Sequence, residues 1–205
     1  MQNEEVLVFP ARLLNAYDFG NFQPYTQEYR HLLSEIRSAS SFMTRVEVED
    51  DPSILQIIPY SYVCGWKHEV LVYRRTKIGN ESRLHGKLSI GVGGHINPID
   101  NRGEQLFKLA ALREVNEEFV FTPEAPRPID ILDFALRGFI RRTDTPVNSV
   151  HFGVVYSFSA PSNKAVPVSP DCEVVGWFKP EELNKSEMYD HLEDWSKDVL
   201  ISICR

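Results

Sequence analysis

The pattern of apolar and polar positions divides the chain into strand-like and helix-like runs. Glu4-Glu5-Val6-Leu7-Val8-Phe9 reads as a short strand. Pro24 opens a helical pattern, because Tyr25, Tyr29, Leu32, Leu33 and Ile36 fall at i, i+4, i+7, i+8 and i+11 on one stripe. The acidic run Glu49-Asp50-Asp51, closed by Pro52, is a polar boundary. Residues 1–52 therefore read as an N-terminal extension, with the main domain over 53–185 and a C-terminal helix over 186–205. Ile54–Val63 and Glu69–Arg74 are β-like runs joined by the turn Gly65-Trp66-Lys67-His68, and Leu88–Val92 is a third, ending in Gly93-Gly94.

Asn97–Gly103 holds Pro, Asp, Asn and Gly and reads as loop. A helix is predicted from Glu104 to Phe119, with Leu106, Leu109, Ala110, Leu112 and Val115 on its apolar side. Asn101 is its expected cap, with Glu104 three residues later in a capping-box relation. Pro123, Pro126 and Pro128 are the expected helix stop and stiffen the loop that follows. Ile129–Ile140 and Val150–Phe158 read as strands paired around a Thr-Asp-Thr-Pro turn, and Glu173–Phe178 as another. Pro180-Glu181-Glu182-Leu183 starts a helix, which Met188, Leu192, Trp195 and Val199 continue as an amphipathic stripe. Strands interleaved with few helices predict an α/β fold, a mixed sheet with helices packed on it.

Composition narrows the classes. With 205 residues, 42% hydrophobic and 25% charged, the chain fits one globular domain with appendages. No stretch approaches the roughly 20 apolar residues of a membrane span, and the acidic, polar start Met1–Glu5 is not the pattern of a secretory signal. The net charge of −7 argues against a nucleic-acid duplex as partner. Cys64, Cys172 and Cys204 are odd in number and lack C-x-x-C spacing, so buried thiols in a reducing cytoplasm are expected rather than disulfides or a cysteine zinc site.

Candidate chemistry concentrates in Gly93–Phe121. In Arg113-Glu114-Val115-Asn116-Glu117-Glu118, the three glutamates lie at i, i+3 and i+4 and share one helix face. Like charges so close repel, and a hard divalent cation offsets them, because Mg²⁺ and Mn²⁺ prefer carboxylate oxygens. The same residues also suit a solvated helix face. A strand ending in Gly93-Gly94 before this helix lets the backbone approach a metal or phosphate closely.

This segment resembles the Nudix box: Gly, five residues, Glu, seven residues, then Arg-Glu-aliphatic-x-Glu-Glu-x-Gly-aliphatic. Gly94 matches the first glycine, and Arg113, Glu114, Val115, Glu117, Glu118 and Phe121 match the second half. Val70–Arg75 is similar to the family's strand ending in basic residues, and Trp177–Leu183 to its late tryptophan strand and acidic helix. The sequence departs from the pattern in three places. The Gly94-to-Glu104 loop is longer. Gln105 stands at the family's glutamate spacing, so Glu104 reaches the site only from before the regular helix or from an irregular turn. Val120 stands where the family has glycine.

The resemblance implies an α/β/α sandwich around a mixed sheet and hydrolysis of a diphosphate linkage in a nucleoside diphosphate derivative. It implies Mg²⁺, or Mn²⁺, held by Glu114, Glu117 and Glu118 with a carbonyl near Gly94. Arg113 would orient the carboxylates, and Glu104 joins the catalytic set. Arg74, Arg75, Gly93, Gly94 and His95 are the expected substrate contacts, with Arg137, Arg141 and Arg142 as further phosphate candidates. The general base stays open between Glu118, Glu114 and a later acid, for which Glu173 is the candidate. His151 and Trp66, Trp177 and Trp195 have ordinary packing roles beside any part in proton transfer or base stacking. The N-terminal extension either mediates a homodimer or buries its Tyr25/Tyr29/Leu33/Ile36 stripe on its own domain. The alternative function is a Nudix-fold ligand-binding or regulatory protein without turnover. An isopentenyl diphosphate isomerase would need a placed cysteine, and Cys64 precedes the first hairpin turn.

Overall fold

The computed structural model describes residues 4–76, 85–121 and 130–204. In chain order it contains β1 (Glu5–Pro10), β2 (Phe22–Pro24), α1 (Leu32–Ala39), β3 (Ser41–Thr44), α2 (Arg45–Val48), β4 (Ile54–Cys64), β5 (Val70–Arg75), β6 (Leu88–Ser89) and β7 (Gly91–Gly93). There follow α3 (Leu106–Glu118), β8 (Phe119–Phe121), β9 (Phe134–Ile140), α4 (Pro146–Ser149), β10 (His151–Ser159), β11 (Ala165–Pro167) and β12 (Cys172–Phe178). Three helices close the chain: α5 (Pro180–Leu183), α6 (Met188–His191) and α7 (Asp194–Ile203). The class is α/β, as the sequence predicts. The chain separates into two compact units, residues 1–60, 94–110 and 136–155 forming the first, and 61–93, 111–135 and 156–205 the second. β4, β9, β10 and α3 contribute residues to both.

In the first unit β1 pairs antiparallel with β3 through Val6↔Met43 and with β4 through Val8↔Gln56. A strand bonded on both edges is shut off from water, which is why Val6-Leu7-Val8-Phe9 is apolar without alternation. β2 pairs with β9 through Phe22↔Ile140. The core is aromatic: Phe152 meets Phe9 edge-on at 5.3 Å and stacks on Phe139 at 5.7 Å.

Two expectations are corrected here. Pro24 does not open a helix. It ends β2, and the Tyr25 N–H donates to the Arg137 carbonyl at 2.8 Å, so sheet pairing claims this backbone. The helix starts only at Leu32, although Tyr29, Leu32 and Ile36 are buried as the stripe requires. Asn101 does not cap α3. The capping box is formed by Asn97 and Asp100 around a 3-10 turn, Pro98–Asp100. A second 3-10 turn, Gly103–Gln105, then separates Asn101 from α3, and its Gly103 sits at φ +81°, where a side chain is disfavoured.

In the second unit β5 lies between β12 and the end of β4. Its register sets Cys172 opposite Arg75 and Trp177 opposite Leu71. Tyr73 meets Phe119 edge-on at 5.1 Å, and Phe134 stacks on Phe158 at 4.9 Å. Helix α3 stops at Glu118, one residue before the expected end at Phe119, because β8 begins at once and pairs with β11 through Val166↔Val120. Phe119 and Phe121 are buried while Val120 is 48% exposed, an alternation of period two. Pro123, Pro126, Pro128 and Ile129 lie outside the described residues. The C-terminal helix is not continuous. It breaks at Leu192, which is extended, fully buried and bridged in parallel to Leu88.

Candidate active site

The last turns of α3 carry the acidic face, and every contact that follows lies within the second unit. Arg113 Nη1 donates to Glu114 Oε1 at 2.8 Å and to both Glu117 oxygens at 3.2 Å. The i, i+4 spacing of Arg113 and Glu117 permits that fork. Glu114 is the buried member, its side chain 13% exposed against 56% for Glu117. Burial pushes its carboxyl up from 4.5 to about 7; Arg113 opposes the shift and the neighbouring glutamates add to it.

Glu118 is held separately. Arg75 Nη1 stands 3.6 Å from Oε1, and the Cys172 thiol donates to Oε2 at 2.9 Å. Arg75 lies 5.3 Å over the Tyr73 ring, and Tyr73 donates its hydroxyl proton to the Gly91 carbonyl at 2.8 Å. Arg75 Nε is buried with no hydrogen-bond partner among the described residues. The cation therefore keeps unused donor capacity beside an acid. Burial and the Glu118 carboxylate both push the Cys172 thiol up, so the sulfur keeps its proton.

The structure thus brings Arg75, Arg113, Glu114, Glu117 and Glu118 onto one helix face and the strand beside it. The three carboxylates do not converge on one point. Among the described residues no group of three His, Cys, Asp or Glu side chains is arranged to hold a metal, because Arg113 draws Glu114 and Glu117 one way while Arg75 and Cys172 hold Glu118. Arg74 is half exposed and pairs with Glu173 at 3.6 Å, which leaves Glu173 63% exposed. Gly93 ends β7.

Gly94, His95, Glu104, Arg137, Arg141, Arg142 and His151 belong to the first unit. Gly94 and His95 follow β7, and Glu104 is exposed in the 3-10 turn before α3, the irregular position its spacing requires. His95 Nε2 lies 2.8 Å from Gln56 Oε1 and 3.4 Å from His151 Nε2, while His151 Nδ1 reaches the Val147 carbonyl at 2.7 Å. Arg141 donates to the carbonyls of Arg142, Asn148 and Ser149, and Arg142 pairs with Asp144 at 2.6 Å, so both serve their own turn. Trp66 is 72% exposed, whereas Trp177 packs where a Gly65 side chain would stand. Sequence reasoning missed Cys172 as a partner of Glu118. The two are 54 residues apart and meet only through sheet register. No described helix is long and apolar enough to cross a membrane.

Comparison with known proteins adds three findings. The NUDIX domain pattern matches residues 60–199. Protein YmaB of Bacillus subtilis is 33% identical over 204 residues, covering 97% of this chain and 96% of its own. Among solved structures, Tm1382, described as a candidate Nudix hydrolase, superposes with a TM-score of 0.76 at 25% identity over 98% of both chains. A NUDIX hydrolase from Alicyclobacillus acidocaldarius shares the fold, with a TM-score of 0.51 at 15% identity over 73% of this chain and 90% of that one.

Proposed function

Because the chain belongs to the Nudix family, hydrolases acting on phosphoanhydride bonds, we propose that it cleaves the diphosphate linkage of a nucleoside diphosphate derivative. Mg²⁺, or Mn²⁺ in its place, would be held by Glu114, Glu117 and Glu118 once they exchange their present partners Arg113, Arg75 and Cys172 for the ion. One observation carries this reading: the carboxyls of Glu114, Glu117 and Glu118 lie at i, i+3 and i+4 on the last turns of α3, with the Glu114 side chain only 13% exposed. The donor set is all oxygen, which suits a hard cation. Such a cation would neutralise diphosphate oxygens and lower the pKa of a bound water.

The chain's own residues do the rest. Arg113 orients Glu114 and Glu117 by its forked hydrogen bonds. Arg75, through the guanidinium nitrogen that faces Glu118, and the half-exposed Arg74 take substrate phosphate oxygens. The experiment is turnover of a panel of nucleoside diphosphate derivatives with Mg²⁺, comparing wild type with Glu117→Gln. The expected result is phosphate-bond cleavage by wild type and a loss of at least ~100-fold in the variant, the size typical of lost charge stabilisation. Equal activity in Glu117→Gln overturns the metal assignment. Ligand binding without turnover across the panel overturns the hydrolase reading for this chain in favour of a binding module.

A further inference from the structure

The first unit holds a cavity of about 210 Å³, lined chiefly by Leu7, Arg37, Ser41, Phe42, Asn101 and Leu106. The register of β1 and β3 sets Leu7 opposite Phe42, and with the buried Leu106 they form an apolar wall. Among the described residues that line the cavity, Arg37 alone is charged. It stands in the last turn of α1, and its Nη1 is buried with no hydrogen-bond partner among the described residues. Arg45 of the same unit, by contrast, meets Glu4 at 3.1 Å and Glu49 at 3.0 Å. A buried charged donor left unpaired is costly, so a ligand that accepts from it is favoured. Ser41 and Asn101, both exposed, bring a hydroxyl and a side-chain amide to the same cavity. Asn101 is fixed by its N–H, which donates to the Pro98 carbonyl at 3.1 Å, and by the Asn97–Asp100 capping box before it.

We propose that this cavity binds a small organic oxyanion, with its charged head on the Arg37 guanidinium and its apolar body against Leu7, Phe42 and Leu106. The planar fork of a guanidinium suits a carboxylate and a phosphate alike, and Ser41 and Asn101 add the neutral polar contacts. The volume lies below the roughly 300–1,000 Å³ of pockets that enclose drug-sized ligands. The ligand is therefore smaller than a nucleoside diphosphate derivative, and the cavity serves a second molecule rather than the proposed substrate. Nothing in the inference depends on the acids of α3, which belong to the second unit from Ala111 onward.

The test is a titration of the full-length protein with benzoate, phenyl phosphate and inorganic phosphate, followed by amide NMR, with benzyl alcohol as the uncharged control. Benzoate or phenyl phosphate should shift the amide signals of Leu7, Phe42, Asn101 and Leu106 saturably, and benzyl alcohol should not. The tighter of the two names the preferred head. Inorganic phosphate, which has no apolar body to bury, should bind about tenfold more weakly than phenyl phosphate. Arg37→Met keeps an unbranched stem and should lose about tenfold or more in affinity, the size of one lost charge-assisted hydrogen bond. Arg37→Lys, which restores the charge without the fork, should recover part of that loss. Asn101→Ala, at an exposed position, should weaken binding a few-fold and serves if Arg37→Met does not fold. Glu117→Gln should bind the probes like wild type. No saturable shift at these residues with any of the three anions overturns the site, as does equal affinity in wild type and Arg37→Met. Inorganic phosphate bound as tightly as phenyl phosphate overturns the organic ligand, and binding abolished by Glu117→Gln places the anion elsewhere.

Discussion

At the scale of residues, Glu114 is the acid of α3 whose chemistry its surroundings change. Its carboxyl is raised to about 7 in the folded protein, mainly by burial, so folding favours the protonated form. The sign follows directly. The stabilising contribution is fully present below the ordinary value of 4.5 and is lost as pH rises through about 7, because the unfolded chain ionises first. A displacement of that size corresponds to roughly 3 kcal/mol. In the absence of divalent cations, urea unfolding of wild type should therefore lose about 3 kcal/mol relative to Glu114→Gln between pH 4 and pH 8. A variant with the same pH slope as wild type would show that the carboxyl titrates normally. The acidic face itself was legible in the sequence, because i, i+3, i+4 spacing is a property of any helix. The separate holding of Glu118 was not, since Arg75 and Cys172 reach it through strand pairing that no local pattern records.

At the scale of elements, legibility follows whether the deciding contact is local. β4, β5 and β12 were readable because runs of β-branched and aromatic residues need only a sheet to join. The start of α1, the cap near α3 and the break at Leu192 were not. The first and last were decided by distant partners, Arg137 for Tyr25 and Leu88 for Leu192, whereas the cap was decided locally, by Asn97 and Asp100 closing a 3-10 turn in place of Asn101 and Glu104. Gly138 in β9 is a further case. A Cβ there would stand 2.4 Å from the Gln23 carbonyl oxygen and 2.7 Å from Phe22 Cζ. The clash is with backbone, which cannot rotate away, so Gly138→Ala should destabilise the protein by about 1–3 kcal/mol as overpacking does. Thermal unfolding checks this, and an unchanged midpoint would mean that β2 moves freely off β9.

At the scale of the whole molecule, the net charge of −7 attracts any cation weakly, whereas the acids of α3 bind one cation tightly if they form a metal site. Global stability separates the two. A cation that binds only the folded chain stabilises it by about 2.7 kcal/mol at one hundred times its Kd. For a protein of this size that raises the melting midpoint by about 5–10 °C. The expected result at pH 8 is a shift of that size with Mg²⁺ in wild type, removed by EDTA and nearly absent in Glu117→Gln, with NaCl of equal ionic strength as the control for general screening. The proton on Glu114 adds a second signature. Below about 7 the cation must displace that proton, so its affinity falls about tenfold per pH unit. At pH 6 and the same Mg²⁺ concentration the stabilisation should drop to about half, near 1.4 kcal/mol. A shift that NaCl reproduces, or that is unchanged between pH 8 and pH 6, would assign the effect to the overall charge and leave the carboxylates of α3 as an ordinary solvated face.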